Sequence, residues 1–220
     1  MKRWLFDPSM LEHQSIYASV RYASEFMKGS MLDLGAGEQP YKALSHGRID
    51  RYVALDVSLN EAKRPDVCGD SLRLPFTDAS FDTVLCTQVV EHVRNPFTMF
   101  EEISRILGPG GCLIMTAPQA WPLHEEPHDF FRYTKYGLTV LAEEAGFDVV
   151  TVRERYGSLA ALGQIFAISI YNKFGRRAIT RIPLKALLIP FFYVCGTLDR
   201  IWFNPKFTLG YLLVARKRQP

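Results

Sequence analysis

Two carboxylates and a pair of glycines early in the chain have the residue types and spacing of a nucleoside-binding site. Asp33, Gly35 and Gly37 follow one apolar run, and Asp56 ends the next apolar run. Glycines let a backbone turn sharply and let a ligand approach closely. A carboxylate at the end of the second strand can accept hydrogen bonds from both ribose hydroxyls. We therefore expect a nucleoside cofactor at the carboxyl edge of a parallel sheet.

The glycine turn departs from the dinucleotide fingerprint G-x-G-x-x-G. Pro40 stands where the third glycine belongs, and that glycine lets a helix pack closely under a pyrophosphate. The carboxylate of Asp33 would repel a phosphate but attract a cationic ligand. Both features disfavour NAD and FAD as the cofactor.

Six short segments follow one another in order, at residues 33–37, 55–57, 69–72, 81–84, 90–93 and 107–111. In these segments the chain resembles the class I S-adenosylmethionine-dependent methyltransferases of the small-molecule, type 11-like kind, over roughly residues 31–152. The resemblance implies a Rossmann-like, doubly wound α/β sheet, mostly parallel with an antiparallel last strand. It also implies S-adenosyl-L-methionine as the cofactor and methyl transfer as the reaction.

Carried onto this sequence, the resemblance implies roles for three carboxylates. Asp33 would lie near the methionine amino group, Asp56 would bind the ribose hydroxyls, and Asp70 would lie near the adenine amino group. Gln88 would face the methionine end. The family usually has another glycine soon after Gly37, and this chain does not. The complete set of expected cofactor-binding residues is Asp33, Gly35, Ala36, Gly37, Asp56, Val57, Asp70, Ser71, Leu72 and Gln88.

The loop at residues 117–133 concentrates side chains that suit acceptor chemistry. His128 or His124 can take a proton from an acceptor hydroxyl or amine, and Arg132 can hold an acceptor carboxylate or phosphate bidentately. A loop in this position is typical of a substrate lid. Alternatively, Asp129 and Arg132 pair within the loop and its aromatic residues pack. The string HDFFRYT also resembles a segment of methyltransferases found among cell-surface saccharide biosynthesis enzymes.

Alternating strand and helix patterns predict the elements that position these residues. Such alternation indicates a parallel sheet covered on both faces, with ligands beyond the carboxyl ends of its strands. The expected strands are 31–34, 52–56, 66–68, 81–87, 112–116, 147–154 and 207–216, and the expected helices are 11–28, 96–107 and 134–145, with a turn at 108–111. We expect one methyltransferase domain over 1–220, with an N-terminal helix (11–29), a cofactor-binding core (31–155), a mostly helical insertion (156–206) and a final strand (207–216).

The insertion is far longer than an ordinary connection between strands. It contains two uncharged runs, at 156–172 and 186–198. Neither run reaches the roughly 20 apolar residues of a bilayer span, and Pro190 and Gly196 interrupt the second. We expect two apolar helices that contact a membrane interface, cover the acceptor pocket or form a homodimer interface. The helices would be joined by a basic loop that contains Lys173, Arg176, Arg177, Arg181 and Lys185.

Composition bounds the remaining possibilities. The net charge of +3 is too small to indicate nucleic-acid binding. The cysteines form no CxxC pair, so we expect neither a metal site nor a disulfide framework; they are Cys68, Cys86, Cys112 and Cys195. The first residues lack the apolar region of a signal peptide. We expect a cytoplasmic protein that reaches the inner face of the membrane if the insertion binds lipid.

Three classes of function are consistent with these residues. The favoured class is a methyltransferase that acts on a small-molecule, saccharide or lipid-linked acceptor. The second is an NAD-dependent oxidoreductase or epimerase, disfavoured by Asp33 and Pro40. The third is a non-catalytic, methyltransferase-like binding subunit, disfavoured because the cofactor-binding set is intact.

Overall fold

The computed structural model describes residues 9–57, 65–175 and 178–219. Its strands form one seven-stranded sheet: β1 (Ser30–Leu34), β2 (Arg51–Asp56), β3 (Val67–Cys68), β4 (Phe81–Thr87), β5 (Leu107–Pro118), β6 (Phe147–Arg155) and β7 (Gly210–Lys217). The strand order is β3-β2-β1-β4-β5-β7-β6. All neighbours pair in parallel except β7, which is antiparallel to both β5 and β6. The predicted α/β sheet with an antiparallel last strand is therefore confirmed.

In the described part of the chain five α-helices accompany the sheet: α1 (Met10–Ala23), α2 (Pro96–Ile106), α3 (Lys135–Glu144), α4 (Ser158–Phe174) and α5 (Ala178–Ile201). Side-chain caps fix where two of them begin, since each cap accepts a hydrogen bond from an otherwise unpaired N–H. The Asn95 side chain accepts from the N–H of Thr98 before α2, and the Thr134 side chain accepts from the N–H of Gly137 before α3.

Two element bounds differ from the predictions because the backbone tightens or bulges locally. Helix α1 stops at Ala23, where the chain tightens into a 3-10 turn at Ser24–Phe26. The predicted turn at 108–111 belongs to β5. There the pairing with β4 skips from Leu107 to Cys112, so the intervening residues bulge out of the ladder.

The insertion forms a helical hairpin of α4 and α5, but its joining segment is shorter than predicted. Helix α5 begins at Ala178, so Arg181 and Lys185 belong to a helix rather than to a basic loop. The basic residues expected at the centre of that loop, Arg176 and Arg177, lie outside the described residues, as does the N-terminal segment 1–8.

Helix α5 runs through Pro190, which corrects the prediction that this residue interrupts the second apolar run. A proline removes one backbone donor, but the turns on either side stay packed, since Leu188 and Phe192 are buried in one apolar cluster. By length and composition, Ile182–Ile201 is apolar enough to cross a membrane, and 22% of it is buried inside the protein. This segment is longer than the uncharged run 186–198 because it also includes Lys185, Asp199 and Arg200.

Helix α1 joins the hairpin to the sheet. Arg155, at the end of β6, donates from Nη1 to Oε1 of Glu12 in α1 over 2.8 Å, and both side chains are buried. Met10 and Leu11 of the same helix pack in one cluster with Phe192 of α5. The position of the hairpin is therefore coupled through α1 to the carboxyl edge of the sheet.

Candidate functional site

A cavity of about 940 Å³ opens at the carboxyl ends of β1, β2 and β4. The segments that follow these three strands form much of its wall, at 34–38, 55–57 and 87–89. Nine of the ten predicted cofactor-binding residues line it: Gly35, Ala36, Gly37, Asp56, Val57, Asp70, Ser71, Leu72 and Gln88. The switch in strand order at β1 brings them together, because the connections from β1 and β4 leave in opposite directions.

The glycine turn after β1 forms the floor of the cavity. Gly35 has a φ of +72°, and a Cβ added there would lie 2.3 Å from Cγ2 of Val89. Gly37 has a φ of +50°, and an added Cβ would meet open space. Both positions favour glycine by conformation, but only Gly35 also needs it for close packing.

Asp56 lies at the end of β2 and is nearly fully buried. Its Oδ2 accepts a hydrogen bond from the N–H of Gly37 over 3.0 Å. Asp70 faces the cavity from the segment after β3, and its Oδ1 accepts from the N–H of Leu72 over 2.9 Å. Two carboxylates therefore stand at separate points of the wall, as hydrogen-bond acceptors for a ribose and a base require.

The tenth predicted cofactor-binding residue, Asp33, is not among the described residues that line the cavity. It is buried in β1, and the hydroxyl of Tyr52 in β2 donates to its Oδ2. Burial raises the pKa of the Asp33 carboxyl to about 6, and the nearby charge of Asp56 adds to the rise, while the Tyr52 hydrogen bond opposes it. The assigned contact with a methionine amino group stays a prediction.

Gln88 follows β4 with a φ of +53°. Its backbone N–H donates to the carbonyl of Thr116, and its Nε2 donates to Oγ1 of the same threonine, each over 3.0 Å. A non-glycine residue in the left-handed region is held there by its surroundings. These two bonds to β5 fix the residue on the cavity wall.

The loop after β5 brings one of its three predicted catalytic residues to the cavity. His128 lines the wall, with its ring beside Phe130. Its carbonyl lies 2.8 Å from Nδ1 of His92, which also lines the wall. His124 and Arg132 are not among the described residues that line the cavity.

All five N–H groups of Arg132 are used within its own loop. Nη1 and Nη2 donate to the two carboxylate oxygens of Asp129 over 2.6 and 2.7 Å. The other donors reach the carbonyls of Trp121, Pro122 and Phe131. This pairing holds the pKa of Asp129 well below its usual range. The alternative prediction, in which Arg132 pairs with Asp129 within the loop, matches this arrangement, and the role of Arg132 in holding an acceptor anion stays a prediction.

Other wall residues were not predicted from the sequence. Helix α1 contributes His13, Ile16 and Tyr17; no local motif marks them, since only the fold places α1 beside the sheet edge.

Glu91, on a 3-10 turn at Val90–His92, is fully buried beside the cavity. Burial raises the pKa of its carboxyl to about 8.

The strand order and the cavity at its carboxyl edge define a Rossmann-like protein with a nucleoside-sized site. The family model described as a methyltransferase domain matches residues 32–115. A probable S-adenosylmethionine-dependent methyltransferase of Mycolicibacterium smegmatis is 30% identical over 193 residues, covering 80% of this chain and 74% of that protein. The chain therefore belongs to the S-adenosylmethionine-dependent methyltransferases.

Further relatives extend the comparison. An uncharacterised protein of Methanocaldococcus jannaschii is 41% identical over 146 residues, 63% of this chain, and the match spans 62% of its length, less than two thirds. A demethylmenaquinone methyltransferase of Beutenbergia cavernae is 27% identical over 181 residues, 64% of this chain and 75% of that protein.

Two solved structures show the same fold. The [4+2]-cyclase SpnF has a TM-score of 0.62 at 19% identity and covers 93% of this chain and 82% of its own. Phosphoethanolamine N-methyltransferase 2 of Haemonchus contortus, in complex with S-adenosyl-L-methionine, has a TM-score of 0.57 at 19% identity. The match covers 94% of this chain and 53% of that one. Because one neighbour is a cyclase, the fold alone does not specify the reaction.

The residues present fit S-adenosylmethionine. The cavity has room for a nucleoside, and the Asp56 carboxylate stands at its wall. At Gly37 the turn leaves open space above the backbone. The predicted family, cofactor and enzyme class are confirmed, and they displace the NAD-dependent alternative. The roles of individual residues stay predictions.

Proposed function

We propose that this methyltransferase transfers a methyl group to a hydroxyl or amine of a lipid-linked acceptor at an anionic membrane surface, on the cytoplasmic side. The observation that carries the proposal is the α4–α5 hairpin, which presents apolar and basic side chains to solvent and packs on α1, a helix that also lines the cofactor cavity. The four cysteines are free thiols, which suits a reducing compartment.

Residues 156–206 hold twelve of the 21 large apolar side chains that are exposed in the described chain. On α4 the exposed apolar residues Leu159, Leu162 and Phe166 are three or four residues apart, which places them on one side of the helix. On α5, Leu187, Val194, Leu198 and Ile201 share one side, whereas Ile182 and Tyr193 are exposed on another. Rows of exposed apolar side chains of this kind are typical of a binding surface.

The charges around this surface have one sign. Residues 156–206 contain seven basic residues and a single acidic one, Asp199. Asp199 is buried, and its carboxylate accepts from the N–H groups of Gly157, Leu159 and Ala160 over 2.6, 3.1 and 3.2 Å, which caps the start of α4. The cations Lys173 and Arg200 are exposed, whereas the carboxylate of Asp199 is turned inward onto backbone N–H groups. This pattern favours anionic lipid headgroups.

Helix α1 connects this surface to the cavity. Its residues His13 and Tyr17 line the cavity, while Met10 and Leu11 pack against the hairpin. An acceptor whose apolar part rests in the membrane would therefore present its polar end near the cavity mouth. Because Phe192 and Asp199 bind α5 into the fold, the proposal has α5 lying on the membrane rather than crossing it. The relative from Beutenbergia cavernae, named for demethylmenaquinone, supports an apolar acceptor.

Methyl transfer requires mainly alignment of the acceptor and exclusion of water. When bound, S-adenosylmethionine supplies an activated methyl group on its sulfonium. In this proposal Asp56 and Asp70 orient the nucleoside, Gln88 faces the methionine end, and His128 accepts the proton that the acceptor hydroxyl or amine releases.

Vesicle sedimentation tests the membrane contact. The full chain is mixed with phosphatidylglycerol or phosphatidylcholine vesicles at low and high salt. We expect binding to the anionic vesicles that weakens at high salt, and weaker binding by Lys173→Glu with Lys206→Glu. Arg48→Glu, an exposed arginine outside the hairpin, is the matched control. No sedimentation with either vesicle, together with a dimer in analytical ultracentrifugation, would assign the surface to a second copy instead.

Phase partitioning of the product tests the acceptor. The protein is incubated with labelled S-adenosylmethionine and, separately, with lipid and aqueous cell extracts. Label in the organic phase supports a lipid-linked acceptor, and label in the aqueous phase alone supports a soluble small molecule. Cofactor binding in a calorimeter without turnover on either extract would instead favour a non-catalytic binding subunit.

A further inference from the structure

The Glu91 carboxylate is buried without a hydrogen-bond partner. It is fully buried, and across residues 9–57, 65–175 and 178–219 neither of its oxygens makes a hydrogen bond. An unpaired buried carboxylate is costly unless a cation or donor reaches it. The side chain therefore has the coordination capacity for a bound cation.

Two imidazoles stand next to this carboxylate. Nε2 of His92 lies 4.0 Å from Oε1 of Glu91, and the rings of His92 and His124 meet edge to face with centroids 4.7 Å apart. One ligand atom from each of the three residues lies within 4.8 Å of the others. Ligands of a tetrahedral zinc ion are about 3.3 Å apart, given bond lengths of about 2.0–2.1 Å. Side-chain movements of roughly 1 Å would close the set around an ion.

The hydrogen bonds of the two imidazoles leave one ring nitrogen of each for a metal. Nδ1 of His92 lies 2.8 Å from the carbonyl of His128, so that nitrogen carries the hydrogen. Nδ1 of His124 lies 3.2 Å from the carbonyl of Pro122 and 3.2 Å from Oδ2 of Asp129. Metal-binding histidines usually donate from the other ring nitrogen to a carbonyl or carboxylate in this way, which fixes the tautomer and the ring orientation.

Both imidazoles are also held in place by their surroundings. Asp129 is clamped by Arg132 and accepts from the backbone N–H of His124 over 3.0 Å. The carbonyl of Glu91 accepts from the N–H groups of Phe130 and Phe131. The three side chains come from two segments, the turn after β4 and the loop after β5, which backbone hydrogen bonds join.

We propose that Glu91, His92 and His124 bind one divalent transition metal ion of the Zn²⁺ type. Two imidazoles and a carboxylate suit such an ion and leave a fourth position for water or an oxygen ligand. Because His92 lines the cavity, the ion lies at the cavity wall and ties the loop after β5 to the end of β4. The site departs from the sequence-based expectation of no metal, which considered the cysteines.

Metal analysis and zinc titration test this site without reference to any acceptor, so the outcome is independent of the proposed function. The chain is purified without a histidine tag, stripped with a chelator and titrated calorimetrically with ZnCl₂. We expect one equivalent to bind, and we expect His92→Ala and His124→Ala each to lower the affinity at least tenfold. His46→Ala, an exposed histidine away from the cavity lining, is the control and should bind as the wild type does.

A second readout guards against variants that fail to fold. Zinc should raise the melting temperature of the wild type but not of Glu91→Gln, which keeps the shape and removes the charge. Co²⁺ should give the visible absorption of a tetrahedral ion with nitrogen and oxygen ligands. No saturable binding by the wild type, or equal binding and equal thermal shifts in Glu91→Gln and wild type, would overturn the proposal.

Discussion

The backbone N–H of Gly37 donates to the carboxylate of Asp56 across 3.0 Å. This bond joins the turn after β1 to the end of β2, so the two halves of the proposed ribose site move as one unit. The carboxylate is thereby held in place before any ligand arrives.

Asp56→Ala should weaken S-adenosylmethionine binding by roughly 1–3 kcal/mol, because charge-assisted hydrogen bonds to the ribose would be lost. Isothermal titration calorimetry measures the change. Asp148→Ala removes a carboxylate that pairs with Arg218 on the surface and should leave the affinity unchanged. Wild-type affinity in Asp56→Ala would refute the ribose assignment.

Gly35→Ala should lower the free energy of unfolding more than Gly37→Ala does. Both substitutions place a Cβ in the left-handed region, at a cost of about 1–2 kcal/mol. Only the Gly35 substitution also drives a methyl group to 2.3 Å from Val89. Urea denaturation of the two variants side by side makes the comparison, and equal losses would show that the turn relaxes away from Val89.

The Asp33 carboxyl should make stability depend on pH between about 4 and 6. Its pKa is raised from 3.8 to about 6 in the folded protein, chiefly by burial. The folded state therefore binds the proton more tightly than the unfolded state does, and stability falls as pH rises through this window. Asp33→Asn keeps an acceptor for Tyr52. Its free energy of unfolding should rise relative to that of the wild type as pH rises, and the difference should become constant above about pH 6.

Urea unfolding at a series of pH values gives these curves, with Asp148→Asn as the surface control. Parallel curves for wild type and Asp33→Asn would show that the Asp33 carboxyl titrates alike in the folded and unfolded states.

His128→Ala should reduce turnover on the order of a hundredfold, the scale of a general base, and leave cofactor affinity nearly intact. The backbone carbonyl that bonds His92 is retained in the variant, so the loop should keep its position. The rate of methyl transfer to the acceptor identified by phase partitioning is the measurement, with His46→Ala as the control. An unchanged rate would exclude His128 as the base.

The sequence predicted the elements that depend on local patterns. Asp56 could be placed because a strand end and a glycine turn fix its position. The hydrogen-bond partners of Arg132 could not be predicted in full, because they depend on how the loop closes on itself. The burial of Glu91 likewise depends on the loop after β5 folding over it, which brings Phe130 and Phe131 against its carbonyl.

The helix-breaking tendency of proline also led to a wrong prediction for α5, which continues through Pro190. In an isolated peptide Pro190 would weaken the helix, but Leu188 and Phe192 pack on both sides of it. Tertiary packing thus outweighed a local preference.

The position of β7 has a consequence for how the chain folds. The last strand lies inside the sheet, between β5 and β6. During synthesis β5 and β6 emerge first and must wait, each with an unpaired edge, until α4 and α5 have left the ribosome. The hairpin is thus synthesised before the sheet is complete, so in the proposed function its contact with a membrane can precede the final folding step.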